Sequence, residues 1–495
     1  LIARRELPSM RRLLCKLGLL WLVAVSAWGQ ADANKGQIVG RIYDPNQAVI
    51  PNASVKIRNL ETGFTRDLAT NELGQYRAVA LDPGRYEVVA QAAGFAATTI
   101  SGLVLNVGST ASADLTLQVQ ATTTTVEVGE TLVSVAPAPS RVIDSTAIRD
   151  LPINGRRFHD FALALPTVQV EEKRNQLSFA GQKGINSNVM VDGADYNQPF
   201  FGGIRGGERS NFAFTVPQSA IQEFQMVVTG YTAEYGRSTG GVMNAITKSG
   251  ANILHGDAFY QLRHKELGLK NPFKRQSVET QHQYGGSAGG PIRRDRLFWF
   301  AALERQDART PRYVFFPRIV GVAEQAANAE ALKLFKSFET PFDMTNDATA
   351  LTARTDYQFA GGHRLTMRYN FSDQTGLNAN GVGTWPDPTT NRALTNNGTE
   401  KDRTHTGGVQ FTGILGPNMV NDLRFTTTYE LRPRLHNATA PTVSTTIGTF
   451  GTVNYLPTTQ DDKRIQFVDS LSLIRGAHTF RVGVDYSRLT VWQQF

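Results

Sequence analysis

The stretch from Ile221 to Gly250 constrains this chain more than any other: IQEFQMVVTGYTAEYGRSTGGVMNAITKSG. It opens as a strand, with Phe224, Met226 and Val228 alternating against Glu223, Gln225 and Val227. It breaks at Thr229-Gly230, passes an aromatic turn at Tyr231 and Tyr235-Gly236, and reaches Gly240-Gly241. A second apolar run, Val242 to Thr247, stops at Lys248-Ser249-Gly250. Glycine in or beside a strand weakens packing, so such a run marks a bend or a close backbone approach. Taken alone, the pattern also fits a β-hairpin in an ordinary α/β domain.

Downstream, residues 251–495 alternate with a period of two. Leu365, Met367, Tyr369 and Phe371 alternate with Arg364, Thr366, Arg368 and Asn370. Phe480, Val482, Val484 and Tyr486 alternate with Arg481, Gly483 and Asp485, and Leu423, Phe425 and Thr427 with Arg424 and Thr426. Leu297 to Phe300 is more continuously apolar. One apolar and one charged face over about ten residues is the pattern of a transmembrane β-barrel, with lipid outside and water or protein inside. A soluble sandwich alternates too, but charges repeated on one face and long polar loops favour the barrel. Those loops are expected near 306–347, 373–403 and 432–463, with a helix-like run at Val322 to Phe338 in the first.

Upstream, residues 36–118 read as a small β-sandwich. Ile38, Gly40 and Ile42 alternate, Val55 and Ile57 alternate against Ser54, Lys56 and Arg58, and turns fall at Asp44-Pro45, Asn71 to Gly74 and Leu81 to Gly84. Short strands with regularly spaced Pro/Gly turns point to that fold. Residues 119–130, VQATTTTVEVGE, form a Thr-rich extended linker whose β-branched residues suit an exposed strand. Between linker and barrel, Ser145 is expected to cap a short helix ending near Leu151-Pro152, and Asn154 a second over Arg156 to Leu165. Phe158, Phe161, Ala162 and Leu165 would share one face of it.

A hydrophobic content of 41% is too low for a helical membrane bundle. The apolar run Leu17 to Ala27 is too short to span comfortably. Its basic start and small-residue end make 10–29 a secretory signal peptide, with Met10 as the start codon and Leu1 to Ser9 upstream of it. The only cysteine, Cys15, lies inside it. A secreted chain without disulfides suits a bacterial envelope. The formal net charge is +8, half of it from residues 1–16, and the remainder is spread out, so no nucleic-acid footprint is expected.

These segments resemble known families. Ile221–Gly250 resembles the end of the plug domain of TonB-dependent outer-membrane receptors, where "YG…GGVxNxITKSG" leads from plug to barrel. "LPINGRRFHDFALALPTV" and the "VDG" at Val191-Asp192-Gly193 resemble the plug of Oar-like receptors. "TNELGQYRAVALDPGRYEVVAQAAGF" is similar to carboxypeptidase-regulatory-like, transthyretin-like domains, a group shared with carbohydrate-binding-like sandwiches. The expected fold is mainly β: a small β-sandwich at 36–118, a linker at 119–130, an α/β plug at 131–250, and antiparallel transmembrane barrel strands at 251–495.

The resemblance implies a receptor in the outer membrane with its N-terminal domain in the periplasm. It implies TonB as the energising partner, outer-membrane lipid around the barrel, and an extracellular ligand. Sugars, oligopeptides and iron chelates all use related receptors, and the sandwich grouping leans toward carbohydrate. Thr124, Thr125, Val126, Glu127 and Val128 are the candidate TonB box, which pairs as a strand with TonB; the alternative is that they form the first strand of the plug. The Gly-rich loop Phe200 to Ser210 is expected at the plug apex, with Asp192, Tyr196, Phe200, Phe201, Arg205 and Arg209 as candidate ligand contacts; a solvated loop without a ligand is the alternative.

About nine or ten strands are expected after residue 250, whereas plugged receptors use about 22, so an incomplete barrel and a longer gene are expected. None of the eight histidines makes an H-E-x-x-H, and no phosphate loop, dinucleotide loop or nucleophile elbow is present. Glu171-Glu172 and Asp461-Asp462 read as solvated loop charges. No enzyme, cofactor or metal is expected. An adhesin without transport, or a soluble carbohydrate-binding protein, is the competing reading.

Overall fold

The computed structural model describes residues 34–119, 124–127, 140–151, 153–171, 176–200, 202–206, 214–264, 266–267, 280–378, 389–476 and 478–494. The expected signal peptide lies outside them, as do Glu172, Val128, Phe201 and Arg209.

The first unit is a two-sheet sandwich. Its strands are β1 (Gly36–Tyr43), β2 (Ser54–Asn59), β3 (Thr65–Ala69), β4 (Gln75–Leu81), β5 (Gly84–Gln91), β6 (Thr98–Leu105), β7 (Thr110–Ser112), β8 (Leu115–Thr116) and β9 (Thr124–Glu127). One sheet runs β4-β1-β7 with β8 also on β1; the other runs β3-β2-β5-β6-β9. The alternation seen in the sequence is the cause: Ile38, Ile42, Val55, Ile57, Val88 and Leu103 all point into one shared core. The Thr-rich linker strand β9 therefore joins the sandwich, in parallel with β6, and not the plug.

The plug holds β10 (Ser140–Ile143), α1 (Ser145–Asp150), β11 (Val168–Glu171), β12 (Gln176–Phe179), β13 (Ser187–Val191), β14 (Ala194–Asp195), β15 (Ile221–Val227) and β16 (Gly241–Thr247). Its main sheet runs β10-β15-β16-β13-β14. Asp144, not Ser145, caps α1: its carboxylate accepts from the Ala147 N–H at 2.8 Å. A carboxylate also complements the positive helix start, which a hydroxyl does not. The second expected helix is two tight 3-10 turns, Asn154–Arg156 and Phe158–Ala164: Gly155 inside the first takes φ 77°, and Arg157 between them is extended at φ −79°, ψ 114°. The expected apolar face survives this change. Phe158 and Phe161 are buried and stack on Phe224 at 6.0 and 5.1 Å.

The glycines of the opening stretch have contact-based reasons. A Cβ on Gly241 would meet the Phe179 ring at 2.7 Å. One on Gly250 would lie 2.4 Å from the Trp299 carbonyl oxygen and 2.8 Å from that of Gly290, where the chain passes from the last plug strand to the first wall strand. Gly250→Ala is expected to lose about 1–3 kcal/mol of stability by overpacking. Gly236→Ala, with open space around it, is expected to stay within about 0.5 kcal/mol. Denaturant midpoints of the two variants check this.

The third unit is one antiparallel sheet of nine long strands: β17 (His255–Arg263), β18 (Thr280–Arg293), β19 (Leu297–Val314), β20 (Pro341–Gln358), β21 (Arg364–Leu377), β23 (Gly398–Gly416), β24 (Met419–His436), β27 (Thr458–Arg475) and β28 (His478–Gln494). Short β22 (Thr389–Thr390) adds to β19, while β25 (Val443–Ser444) pairs with β26 (Thr449–Phe450) in a loop. The sheet is open: β17 and β28 end it without pairing to each other.

Its polarity is the reverse of a soluble sheet. Asn346, Thr352, Asp356, Asn370, Asp402, Glu430 and Arg464 are buried on the inward face, while Leu303, Met367, Val409, Phe425, Ile465 and Phe467 are exposed on the other face. This is the arrangement for lipid outside and a polar interior. Phe298 and Phe300 face inward, and Phe300 joins the plug core, which explains the continuous apolar run there. The strands run past the apolar band, so the loops are shorter than expected: 315–340, 378–397 and 437–457. The helix in the first is α2 (Ala329–Phe338), shorter than the run anticipated; its Phe335 packs on Phe316 and Phe450. The opposite ends close with short turns, such as 294–296 and 417–418. Short turns mark the periplasmic end and long loops the outer end.

Candidate functional site: the charged seam between plug and wall

Alternation puts every second wall residue inward, and the inward set is rich in charge. The plug meets it with opposite charges. On β19, Glu304 is buried and accepts from both Arg156 nitrogens, at 3.0 and 3.2 Å, and from the Ser219 N–H at 2.8 Å. On β24, Glu430 pairs with plug Arg205 at 2.5 Å and accepts from the Gly206 N–H at 3.2 Å. On β27, Arg464 pairs with Asp195, Gln466 accepts from the Asp195 N–H at 3.0 Å, and Asp462 accepts from Gln198 at 2.7 Å. On β28, Arg481 reaches Glu234 at 3.1 Å. Six wall positions thus grip four separate plug segments, at Arg156, Asp195–Gly206, Ser219 and Glu234.

The expected ligand contacts are placed by this seam. Asp192 stands toward the short-turn end, not the apex: it accepts from the Thr247 N–H at 2.8 Å and hydroxyl at 2.7 Å, and pairs with Arg368 of β21. Burial alone would raise its carboxyl, but Arg368, Arg354 and the Thr247 bonds hold it below the usual carboxylate range. Tyr196 is buried in the plug core. Arg205 is 0% exposed, so its guanidinium is given over to Glu430. Phe200, 51% exposed, is the described member of the set that is open to solvent. The Gly-rich loop is folded tightly here, with the Gln198 N–H donating to the Gly203 carbonyl and the Arg205 N–H to that of Tyr196.

Asp461-Asp462 is corrected as well. The pair lies within β27, where neighbours point to opposite faces, so Asp462 is buried on the plug side and Asp461 is not. Glu171 ends β11 and accepts from the Gly184 N–H at 3.1 Å. No cluster of metal-ligating side chains occurs among the described residues.

The sandwich sits against the short turns and the plug base. Asn252 bonds Asp295 in the 294–296 turn at 2.7 Å, and its N–H donates to the Glu61 carbonyl at 2.9 Å. Arg77 donates to Thr479 at 2.6 Å, and Asp82 pairs with both Lys35 and Arg364. At the centre, plug Glu223 accepts from the Val107 N–H of the sandwich at 2.6 Å. Burial holds the Glu223 carboxyl up at about 8; the Val107 bond opposes this and the Asp144 carboxylate adds to it. An undocked, hydrated Glu223 would return toward 4.5. Docking therefore favours the protonated form. Its contribution is full below about 4.5 and is lost as pH rises toward about 8. Amides 106–109 are expected to exchange faster at pH 8 than at pH 5, after correction for intrinsic rates. Glu223→Gln, which keeps the acceptor and cannot ionise, is expected to flatten that dependence.

Comparison with known proteins agrees with this architecture. Residues 37–118 match the carboxypeptidase regulatory-like domain, and residues 246–333 and 319–495 match the outer membrane beta barrel domain. The TonB-dependent transporter Oar of Myxococcus xanthus is 26% identical over 318 residues, which is 59% of this chain and 29% of Oar. Among solved structures, the outer membrane transporter YddB of Escherichia coli gives a TM-score of 0.51 at 12% identity, over 72% of this chain and 48% of its own. A mutant ferric enterobactin receptor, PfeA, of Pseudomonas aeruginosa gives 0.50 at 13% identity, over 72% and 49%. The chain spans about half the length of these solved structures and less than a third of Oar. With a polar-inside sheet, a plug gripped by its wall and a barrel model matched from 246 to 495, the chain belongs to the outer membrane beta barrel family, and it is similar to the TonB-dependent transporter Oar.

Proposed function

We propose that this chain is the gated part of an importer that takes a ligand through a plugged outer-membrane barrel, energised by TonB. The observation that carries the reading is the seam. Arg205 with Glu430, Arg156 with Glu304 and Asp195 with Arg464 hold plug to wall through buried charges. Buried pairs are specific in geometry and strongly resist loss of one partner. Such a plug stays shut without an external force, and the lumen opens only when a loop is drawn off the wall.

Force enters through the candidate box Thr124 to Val128, on the periplasmic side. The ligand meets the outer loops and the exposed Phe200. Its class is carbohydrate or oligopeptide; the sandwich grouping supports the former. The test is uptake by cells carrying the full gene, supplied with labelled oligosaccharides and oligopeptides, with TonB present or deleted. Accumulation that requires this receptor is expected to require TonB. Receptor-dependent accumulation at the same rate without TonB would sink the reading.

A further inference from the structure

Strand β9 is short and lies at the end of its sheet. It pairs in parallel with β6, in the register Thr98 with Thr124, Thr99 with Thr125, Ile100 with Val126 and Ser101 with Glu127. Among the described residues its other edge pairs with nothing. An end strand presents unpaired N–H and C=O groups, which is the template for strand addition.

The sandwich that holds β9 is itself anchored. Asp82 ties it to Arg364 of the wall, Asn252 and Asp295 bracket Gly63, and Val107 is bonded to Glu223 of the plug. The open edge of β9 is therefore presented from a body fixed at the short-turn side of the barrel, the side on which TonB works.

Strand addition needs a segment that is already extended, and a free linker must lose backbone freedom to become so. Pairing to β6 supplies that order in advance. We infer that the sandwich is a presentation scaffold: it holds residues 124–127 as a preformed edge strand, and a strand of the TonB periplasmic domain adds to the outer edge of β9 while β6 stays in place. This rests on the reading of 124–128 as the TonB box. It gives the carboxypeptidase regulatory-like domain a role in partner recognition.

The test uses the full chain in detergent micelles and the purified TonB periplasmic domain as probe. Thr99 and Thr125 are opposite each other in register, so the double variant Thr99→Cys with Thr125→Cys can fasten β9 to β6. With β9 fastened, affinity for the TonB domain is expected to stay within about threefold of the reduced form, because the ordering cost is already met. A loss of about tenfold or more on oxidation would show that β9 must leave β6, and would overturn the proposal. Failure of the pair to oxidise would count against the β6–β9 pairing itself.

Hydrogen exchange gives a second reading without cysteines. On adding the TonB domain, amides 124–127 are expected to gain protection while 98–101 keep theirs. Loss of protection at 98–101 would overturn the scaffold role. Deletion of 124–128 separates the two layers of the argument. If that deletion leaves TonB binding unchanged, the box assignment fails; if it abolishes binding while fastened β9 cannot bind, the box stands and the scaffold role fails.

Discussion

Deletion of Thr124–Val128 is expected to bring uptake down to the level of cells without TonB, and to leave ligand binding at the cell surface unchanged. The two activities sit at opposite ends of the molecule. Ligand contacts would involve the outer loops, which are braced by their own aromatic cluster of Phe316, Phe335, Phe338 and Phe450. Residues 124–127 of the proposed box pair with β6 on the sandwich, which sits against the short turns. Strand addition draws its affinity from main-chain hydrogen bonds, so removing the segment takes away the contact entirely, which no side-chain change would do. The plug sheet begins at β10 and its pairing with β15 does not involve the deleted residues, so the seam should remain shut. Binding assays on whole cells, run beside energised uptake, separate the two effects. Undiminished uptake by the deletion variant would remove the box assignment.

Arg205→Ala is expected to unseat the plug. It leaves Glu430, itself 0% exposed, buried without its counter-charge. Removing one partner of a buried pair typically costs about 3–5 kcal/mol. The Gly206 N–H at 3.2 Å remains, but one neutral donor does not replace a guanidinium. The loss should appear as a lower thermal midpoint and faster exchange of amides 196–206. It should be largely rescued by Arg205→Met combined with Glu430→Gln, which removes both charges and keeps an acceptor for Gly206. A single variant as stable as the parent would mean that this pair does not hold the plug.

Strand existence was legible in the sequence, because alternation over long runs such as Leu365 to Phe371 reports directly on two unlike faces. Strand ends were not. Past the apolar band both faces turn polar: Arg305 and Asp307 pair on the outside of β19 while Gln306 is buried inside. A polar loop and a polar strand extension read alike there. The same ambiguity misplaced Asp461-Asp462, whose neighbours in the fold are plug residues more than 260 positions away.

The seam was invisible for the same reason. Arg205 and Glu430 are 225 residues apart, and nothing near Arg205 marks its partner. The composition of the Gly-rich loop suggested a mobile apex, while the structure shows a guanidinium aimed into the wall. Asp192 follows strand β13 and opens a turn, and neither feature tells which end of the barrel it faces. Its placement depends on which end of the barrel carries the short turns, and that is a property of the whole sheet. The linker strand was anticipated as an exposed strand, but its parallel partner β6 has no local signal, since β-branched residues set extension and not pairing.

The central claim is that the plug must leave the wall for a ligand to pass. A short thiol-reactive crosslinker between Gln198→Cys on the plug and Asp462→Cys on β27, which face each other across a 2.7 Å hydrogen bond in the native chain, tests it directly. The only cysteine in these 495 residues is Cys15, so the described part of the receptor offers the label no competitor. In cells carrying the full gene, the crosslinked receptor is expected to bind at the surface like the untreated variant and to accumulate nothing, while each single-cysteine variant treated alike keeps its uptake. Uptake by the crosslinked pair at the rate of the untreated variant would contradict the account.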